Sequence, residues 1–396
     1  MTTGSGVAQG GGVVKRSVDR ILTTHTGSLP RPQALLDLLG SRARGEADAT
    51  AVAKEVGAAV AEVVRRQVAA GVDVVNDGEA GKESYATYVR ERLTGFEGEG
   101  EQAARMPDLE EFPGYLRQFF TRLDPGLLQD VLAPPACTGP IAVRDHEAVL
   151  TDIENLRAAT GGDGAEDLFL TAASPGVIAL FFANHHYPTR EAYLGAIADA
   201  MREEYEAITG AGLVLQVDCP DLAMGRHIQF ADADLEEFRR QASLNVEALN
   251  HATAGIDPDQ LRMHLCWGNY EGPHHRDVPL ADILDIVLRA RPSAISLEAS
   301  NPRHAHEWAV FEDRPLPAGK VLIPGVIDST NNYIEHPDLV AERLGRYTAL
   351  VGQENVLAGS DCGFGTFAGM SVVDPDITWA KLAAMAEGAR RASHRP

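Results

Sequence analysis

The run Arg262-Met263-His264-Leu265-Cys266-Trp267 decides how this chain is read. It is short and mostly apolar, and side chains along a β-strand alternate between faces, so His264 and Cys266 point the same way. One strand then offers two metal-binding donors to one point. Working outward, Glu298 follows the apolar run 294–297 and Cys362 follows 355–360, which puts each at the carboxyl end of its own strand. A lone His or Cys in an apolar strand is ordinarily buried filler, since free Cys is among the most buried residue types. Arriving together at three strand ends, His264, Cys266, Glu298 and Cys362 read instead as the ligands of one zinc ion, Zn2+. Zinc takes thiolate sulfur, imidazole nitrogen and carboxylate oxygen, and the carboxylate is the ligand most easily displaced, which gives the site a catalytic character.

Strand ends that converge on a point describe a barrel mouth, and the rest of the chain supplies the barrel. Short apolar runs closed by polar residues, Gly or Pro recur at 21–24, 72–76, 168–172, 213–217, 262–266, 294–297, 321–326 and 356–360. Helical patterns fall between them, as at 51–70, 191–208, 235–252 and 280–288. This alternation predicts an α/β fold, a (β/α)8 TIM barrel, which carries its chemistry at the carboxyl ends of the strands. Residues 81–166 are too long for one crossover helix and hold Pro107, Pro113, Pro125, Pro134 and Pro135 with an apolar patch at 115–120. They read as a long insertion after the second strand, beside the barrel and partly over its mouth, with a separate small domain as the alternative. The expected division is a disordered tail at 1–18, one catalytic barrel at 19–388 containing the insertion, and a tail at 389–396.

Acidic residues outnumber basic ones 57 to 35, and the net charge of -22 repels nucleic acid and anionic membrane. No stretch approaches the apolar length of a transmembrane span, and the Gly/Ser/Thr-rich start is unlike a signal peptide. Four cysteines in so long a chain give no disulfide framework. The expectation is a soluble, cytoplasmic protein of a reducing compartment, with no nucleic-acid or membrane partner. The sequence leaves the oligomeric state open.

The opening Leu22-Thr23-Thr24-His25-Thr26-Gly27-Ser28-Leu29-Pro30-Arg31, the turn Asn76-Asp77-Gly78-Glu79, the run Gln216-Val217-Asp218-Cys219-Pro220 and Asp361-Cys362-Gly363 join the metal run in a consistent order. Together they resemble the catalytic half of cobalamin-independent methionine synthase, from about 21 to 385. The chain is most similar to the short, single-barrel members, which include core methionine synthases and epoxyalkane:coenzyme M transferases. The resemblance implies a zinc-dependent transferase of methionine biosynthesis, which methylates a small thiol such as homocysteine through a zinc-bound thiolate. By position it implies Ser28 for the carboxylate of that thiol, and Glu79 and Asp218 for its ammonium. A sulfonate thiol would want cations instead, and Arg226, His25 and His227 are the nearby candidates. Asp361, beside Cys362, is a candidate support for the ligands.

The donor side departs from the pattern of the long members. They carry Gly-Val-x-Asp-x-His, whose His is taken as the acid for the leaving pterin, whereas Gly325-Val326-Ile327-Asp328-Ser329-Thr330 puts Thr330 in that place. Phe181 stands where a pterin-stacking Trp is expected, and Met224 where an acid is. The donor implied is therefore not a folylpolyglutamate but a methyl-corrinoid, another small methyl donor or an epoxide. Epoxide opening is the alternative function, and its alkoxide would need a proton from His25, Tyr333 or His304. His25, Tyr333 and Asp328 are the candidate catalytic residues. A zinc hydrolase and a non-catalytic metal- or thiol-binding relative are further readings, and two thiolate ligands weaken the first by lowering the metal's acidity. The His-rich run 272–276 reads as a solvated loop.

Overall fold

The computed structural model describes residues 12–100, 105–121, 135–161 and 164–394. Seven strands lie side by side in chain order: β1 (Val74–Val75), β2 (Asp167–Ala173), β3 (Val214–Asp218), β4 (Leu261–Leu265), β5 (Ala294–Leu297), β6 (Val321–Ile327) and β7 (Gly359–Ser360). Every neighbouring pair is parallel. The segment around Thr23 fills the remaining place. The Thr24 N–H donates to Ala358 O at 2.8 Å and Ala358 N–H to Leu22 O at 2.8 Å, while on the other edge Val74 N–H donates to Thr23 O at 3.0 Å. The fold is the (β/α)8 TIM barrel, with the first of its eight strands reduced to a bridge between Thr23 and Ala358.

Strand alternation sorts the side chains into two cores. On β4, Leu261, Met263 and Leu265 join the outer core under the helices, whereas the guanidinium of Arg262 donates to Thr24 Oγ1 (2.9 Å) and His25 O (2.8 Å). That guanidinium lies 4.1 Å from the centre of the Phe169 ring. Leu22, Val74, Phe169, Val214, Ala294, Ile323 and Leu357 pack against one another in a second cluster, with Val14 laid upon it. Apolar packing of this kind fills a barrel as a core and leaves only one end for chemistry. The outer helices start on side-chain caps: Asp48 for Ala49–Ala69, Thr189 for Arg190–Gly210, Asp234 for Leu235–Ala252 and Asp374 for Pro375–Ala392.

Between β1 and β2, Gly98–Glu99 pairs antiparallel with Pro135–Cys137, which runs parallel to Ala183–Asn184. Helix Pro113–Phe120 leans on the loop that follows β4: Tyr115 Oη donates to Glu271 O, Tyr270 Oη donates to the Asp108 carboxylate, and the Phe119 and Tyr270 rings lie 6.1 Å apart. This segment therefore lies over the β4 side of the mouth. Its last part, helix Glu147–Thr160, packs between Ala49–Ala69 and Arg190–Gly210 and is the crossover helix itself. The added material is accordingly shorter than 81–166. Pro125 and Pro134 lie outside the described residues.

Of the expected tail at 1–18, residues 1–11 lie outside the described residues, and from Gly12 onward the chain is bonded to the barrel. Gly12 N–H donates to Gly212 O (2.9 Å), Val14 N–H to Asp259 O (2.6 Å) and the buried Ser17 Oγ to Val356 O (2.6 Å). At the other end the last helix runs through Ala392, with Ala389 buried. Among the described residues no helix is long and apolar enough to cross a membrane.

Candidate metal centre and active site

His264, Cys266 and Cys362 bring one donor atom each to a buried point at the mouth, all within 4.8 Å of one another. The two sulfurs are 3.6 Å apart. His264 Nδ1 lies 3.4 Å from Ser296 Oγ on β5, and Nε2 is buried with no hydrogen-bond partner. An orphaned buried nitrogen of this kind costs about 1–3 kcal/mol unless something takes its lone pair. Burial pushes the His264 imidazole down to about 3, so the ring is neutral and that lone pair is open. The Cys362 contact, with burial, pushes the Cys266 thiol well above its ordinary range, which a cation in the proton's place would reverse. An imidazole and two thiols form a donor set that fits a borderline-soft divalent metal.

Glu298 falls outside that grouping of three. Its carboxylate is held by two donors, Trp267 N–H to Oε1 at 2.8 Å and Asn301 Nδ2 to Oε2 at 2.7 Å. Asp361 organises the same loop. It accepts the N–H groups of Ala299, Ser300 and Asn301, each at 2.8 Å, and Asn301 Nδ2 at 3.1 Å. One carboxylate thus ties the residues after Glu298 to the residue before Cys362.

The expected thiol-binding trio surrounds the mouth. Ser28 Oγ accepts Gly365 N–H at 3.3 Å and presses on Gly363, where a Cβ would fall 2.0 Å from that oxygen, so only glycine fits beside Cys362. Glu79 Oε1 accepts the Thr171 hydroxyl at 3.0 Å, while Oε2 is buried without a partner. Asp218 Oδ1 accepts Gln216 Nε2 at 2.8 Å. Burial, and then the charge of Glu79, raise the Asp218 carboxyl well above the usual carboxylate range. Two carboxylates that oppose each other in a dry site are relieved by a cation placed between them.

The candidate acids are placed otherwise. His25 is buried, with Nε2 2.7 Å from Gln67 Oε1 and Nδ1 accepting Gly27 N–H at 3.2 Å, and burial pushes it down to about 4. With both nitrogens engaged it is a neutral brace. Tyr333 stands 82% exposed. Asp328 accepts the Thr330 N–H and hydroxyl, each at 2.7 Å, and Asn331 Nδ2 at 2.6 Å. With Glu298, Asn301, Arg303 and Asp361 it lines a cleft of about 310 Å³ beside the metal loops. His304 lies between Asp277 (3.0 Å) and Glu307 (2.8 Å) and packs on the Trp267 ring at 4.2 Å. Burial opposes its charge, but the two carboxylates outweigh it and lift the imidazole to about 10. His274 is not solvated as its loop suggested: its ring bonds Asp277 Oδ2 (2.9 Å) and Tyr270 O (3.0 Å) and lies 4.3 Å from the Tyr270 ring. Of the cations considered for a sulfonate, Arg226 donates to Phe230 O at 2.7 Å, while both ring nitrogens of the buried His227 lack a hydrogen-bond partner, Nδ1 lying 3.3 Å from Asp277 Oδ1, and burial lowers its pKa. Sequence reasoning missed Tyr85, which lies near Cys266, Cys362 and Asp218 and was hidden in the stretch read as an insertion. It missed Asn301 as well, which no local pattern marks.

Residues 21–107 and 181–390 match the family model described as cobalamin-independent synthase, catalytic domain. The chain is 24% identical over 377 residues to the methionine synthase of Saccharolobus solfataricus, across 93% of each protein. It is 27% identical over 350 residues to the 5-methyltetrahydropteroyltriglutamate–homocysteine methyltransferase of Streptomyces avermitilis, across 87% of this chain and 39% of that protein. Among solved structures, a B12-independent methionine synthase from Shewanella sp. W3-18-1 in complex with selenomethionine superposes with a TM-score of 0.71 at 20% identity, covering 93% of this chain and 97% of that one. With the family model matched over most of its length, the chain belongs to the cobalamin-independent methionine synthase family.

Proposed function

We propose that the protein is a zinc-dependent methyltransferase of the cytoplasm, formed as one catalytic barrel over about 19–388, that methylates homocysteine or a close amino-acid thiol. The donor is a methyl-corrinoid or a small methyl compound rather than a folylpolyglutamate. The observation that carries this reading is the buried, unpartnered His264 Nε2 grouped with the sulfurs of Cys266 and Cys362 at strand ends. When bound there, zinc supplies a Lewis acid that renders a thiol nucleophilic at neutral pH. His264, Cys266 and Cys362 would hold it, with Glu298 as the displaceable fourth ligand, steadied by Trp267 and Asn301.

The chain's own part is to place the thiol. Glu79, with Oε2 unpartnered, and Asp218 take the ammonium, and Ser28 takes the carboxylate. Contacts at both ends of a zwitterion fix where its sulfur points, and such positioning converts binding into rate. The donation of Arg226 to Phe230 O, and the burial that disfavours charge on His227, favour an amino-acid thiol over a sulfonate.

Zinc-edge X-ray absorption on the purified protein tests this. One zinc with two sulfur scatterers is expected, and added homocysteine should contribute a further sulfur near the usual Zn–S distance of about 2.3 Å. A zinc shell that ignores homocysteine, in protein that forms no methionine from any methyl donor, would sink the proposal.

A further inference from the structure

Three half-buried aromatic rings meet at the lip of the site. The Tyr85 ring meets Phe181 in a T, with centroids 5.9 Å apart and planes at 89°, and Phe367 likewise, at 6.0 Å and 73°. Each ring comes from a different strand end: Tyr85 from the loop after β1, Phe181 from the helix Pro175–Phe181 after β2, and Phe367 from the loop that begins at Cys362. A bridge between Ser84 and Phe367, and the Ala368 N–H donated to Glu83 O at 2.8 Å, lock the first and last of these loops together. Cys266, Cys362, Asp218 and Asp221 all lie near enough to act on the Tyr85 phenol, so the aromatic wall stands beside the metal cluster on its Asp218 side.

We propose that Tyr85, Phe181 and Phe367 hold a methylated onium donor, a small sulfonium or quaternary ammonium compound, against the thiol. The inference rests on the thiol-methylation reading and adds the class of donor to it. The faces of aromatic rings attract cations, most strongly where water is excluded. The neighbouring carboxylates and ligand sulfurs add a field of the same sign in a low-dielectric site.

The bond changes agree with the residues present. The thiolate sulfur gives a lone pair to the methyl carbon while the C–S or C–N bond of the onium breaks. The leaving group keeps that bonding pair and departs as a neutral thioether or tertiary amine. It needs no proton, whereas a leaving pterin nitrogen or an opened epoxide oxygen does. The groups at the places from which a proton would come are committed otherwise. Both His25 nitrogens are engaged, the His304 ring is held between Asp277 and Glu307, the Thr330 hydroxyl donates to Asp328, and Tyr333 stands in solvent. The reaction also consumes opposite charges, which a dry aromatic wall assists, because water stabilises the separated ions more than the partly neutralised transition state.

The test has a binding arm and a transfer arm, both on the full zinc-loaded chain. In the first, proton NMR follows choline and its neutral tert-butyl isostere. The N-methyl signal of choline should move upfield, the isostere should bind at least roughly tenfold more weakly, and Phe181→Leu and Phe367→Leu should each weaken choline roughly tenfold. Phe181→Trp should keep the binding, which separates ring loss from misfolding. Equal binding of choline and its isostere, or indifference to both Leu variants, overturns the proposal. In the second arm, homocysteine is given methyl-labelled S-methylmethionine or methyl-labelled methylcobalamin. Label in methionine from the sulfonium is the expected result. Label from methylcobalamin alone overturns the onium donor and leaves the thiol reading intact. Homocysteine that neither binds nor accepts a methyl group from either donor overturns both.

Discussion

Replacing Asp361 with asparagine preserves its shape and removes only its charge and one acceptor. An amide oxygen in the place of Oδ1 keeps the bonds from Ala299 and Ser300 N–H, whereas the amide nitrogen in the place of Oδ2 meets Asn301 N–H and Nδ2 as donor against donor. Hydrogen bonds to a charged group contribute about 1.5–3 kcal/mol each, and two are lost. Local relaxation recovers part of that, so Asp361→Asn should lower the unfolding free energy by about 3 kcal/mol. The same change frees Asn301, whose Nδ2 also holds Glu298 Oε2 at 2.7 Å. Loss of a residue that orients a ligand typically weakens metal binding by about 10–100-fold. Urea denaturation of stripped and zinc-loaded protein measures the first effect, and competition against a chromophoric chelator measures the second. A variant with zinc affinity equal to the parent's and stability within about 0.5 kcal/mol would refute the bridging role of Asp361.

Cys266→Ser and Cys362→Ser should each lose zinc and activity together while the barrel stays folded, since a neutral hydroxyl is a poor zinc ligand; metal analysis beside circular dichroism checks this. Glu79→Gln should raise KM for homocysteine at least roughly tenfold at constant zinc content, the loss expected for one charged hydrogen bond, and a change in zinc content instead would move Glu79 from the thiol to the metal. His304 gives a pH signature. Burial opposes its charge, but Asp277 and Glu307 lift it to about 10, against about 6.5 unfolded, so its stabilisation is complete below about pH 6.5 and fades as pH rises toward 10. Denaturant titrations across that window should show a decline that His304→Gln flattens.

The strands were legible where an apolar run is buried on both faces. Residues 294–297 read as a strand and are β5 residue for residue, and 262–266 differs from β4 by one position at each end. The opening segment was over-read: main chain to main chain it bonds to the two barrel edges across Leu22, Thr23 and Thr24, too few residues for a ladder, before Gly27 turns the chain into the mouth. His264 and Cys266 were readable because strand alternation is a local rule, and Cys362 because it follows a strand end. Glu298 was found as a strand-end acid, but its two hydrogen bonds were not, since Trp267 comes from β4 and Asn301 is shared with the distant Asp361. His25 misled because alternation does not reveal that Gln67, on an outer helix, claims its ring. Tyr85 was invisible because only the closed barrel brings the β1 and β7 loops together.

Glu79 holds its backbone at φ 56°, a left-handed conformation shared among the described non-glycine residues only with His274. Such a conformation costs an L-residue about 1–2 kcal/mol that glycine does not incur. Glu79→Gly would therefore relax the main chain while deleting the carboxylate proposed to hold the thiol's ammonium. Folding and turnover pull this single codon in opposite directions. A library sorted for heat resistance alone would drift toward glycine at this site and return sturdier, inactive protein, whereas one sorted for product would retain the strained acid. An engineer who wants a robust form of this enzyme should lock position 79 and look for stability elsewhere in the barrel.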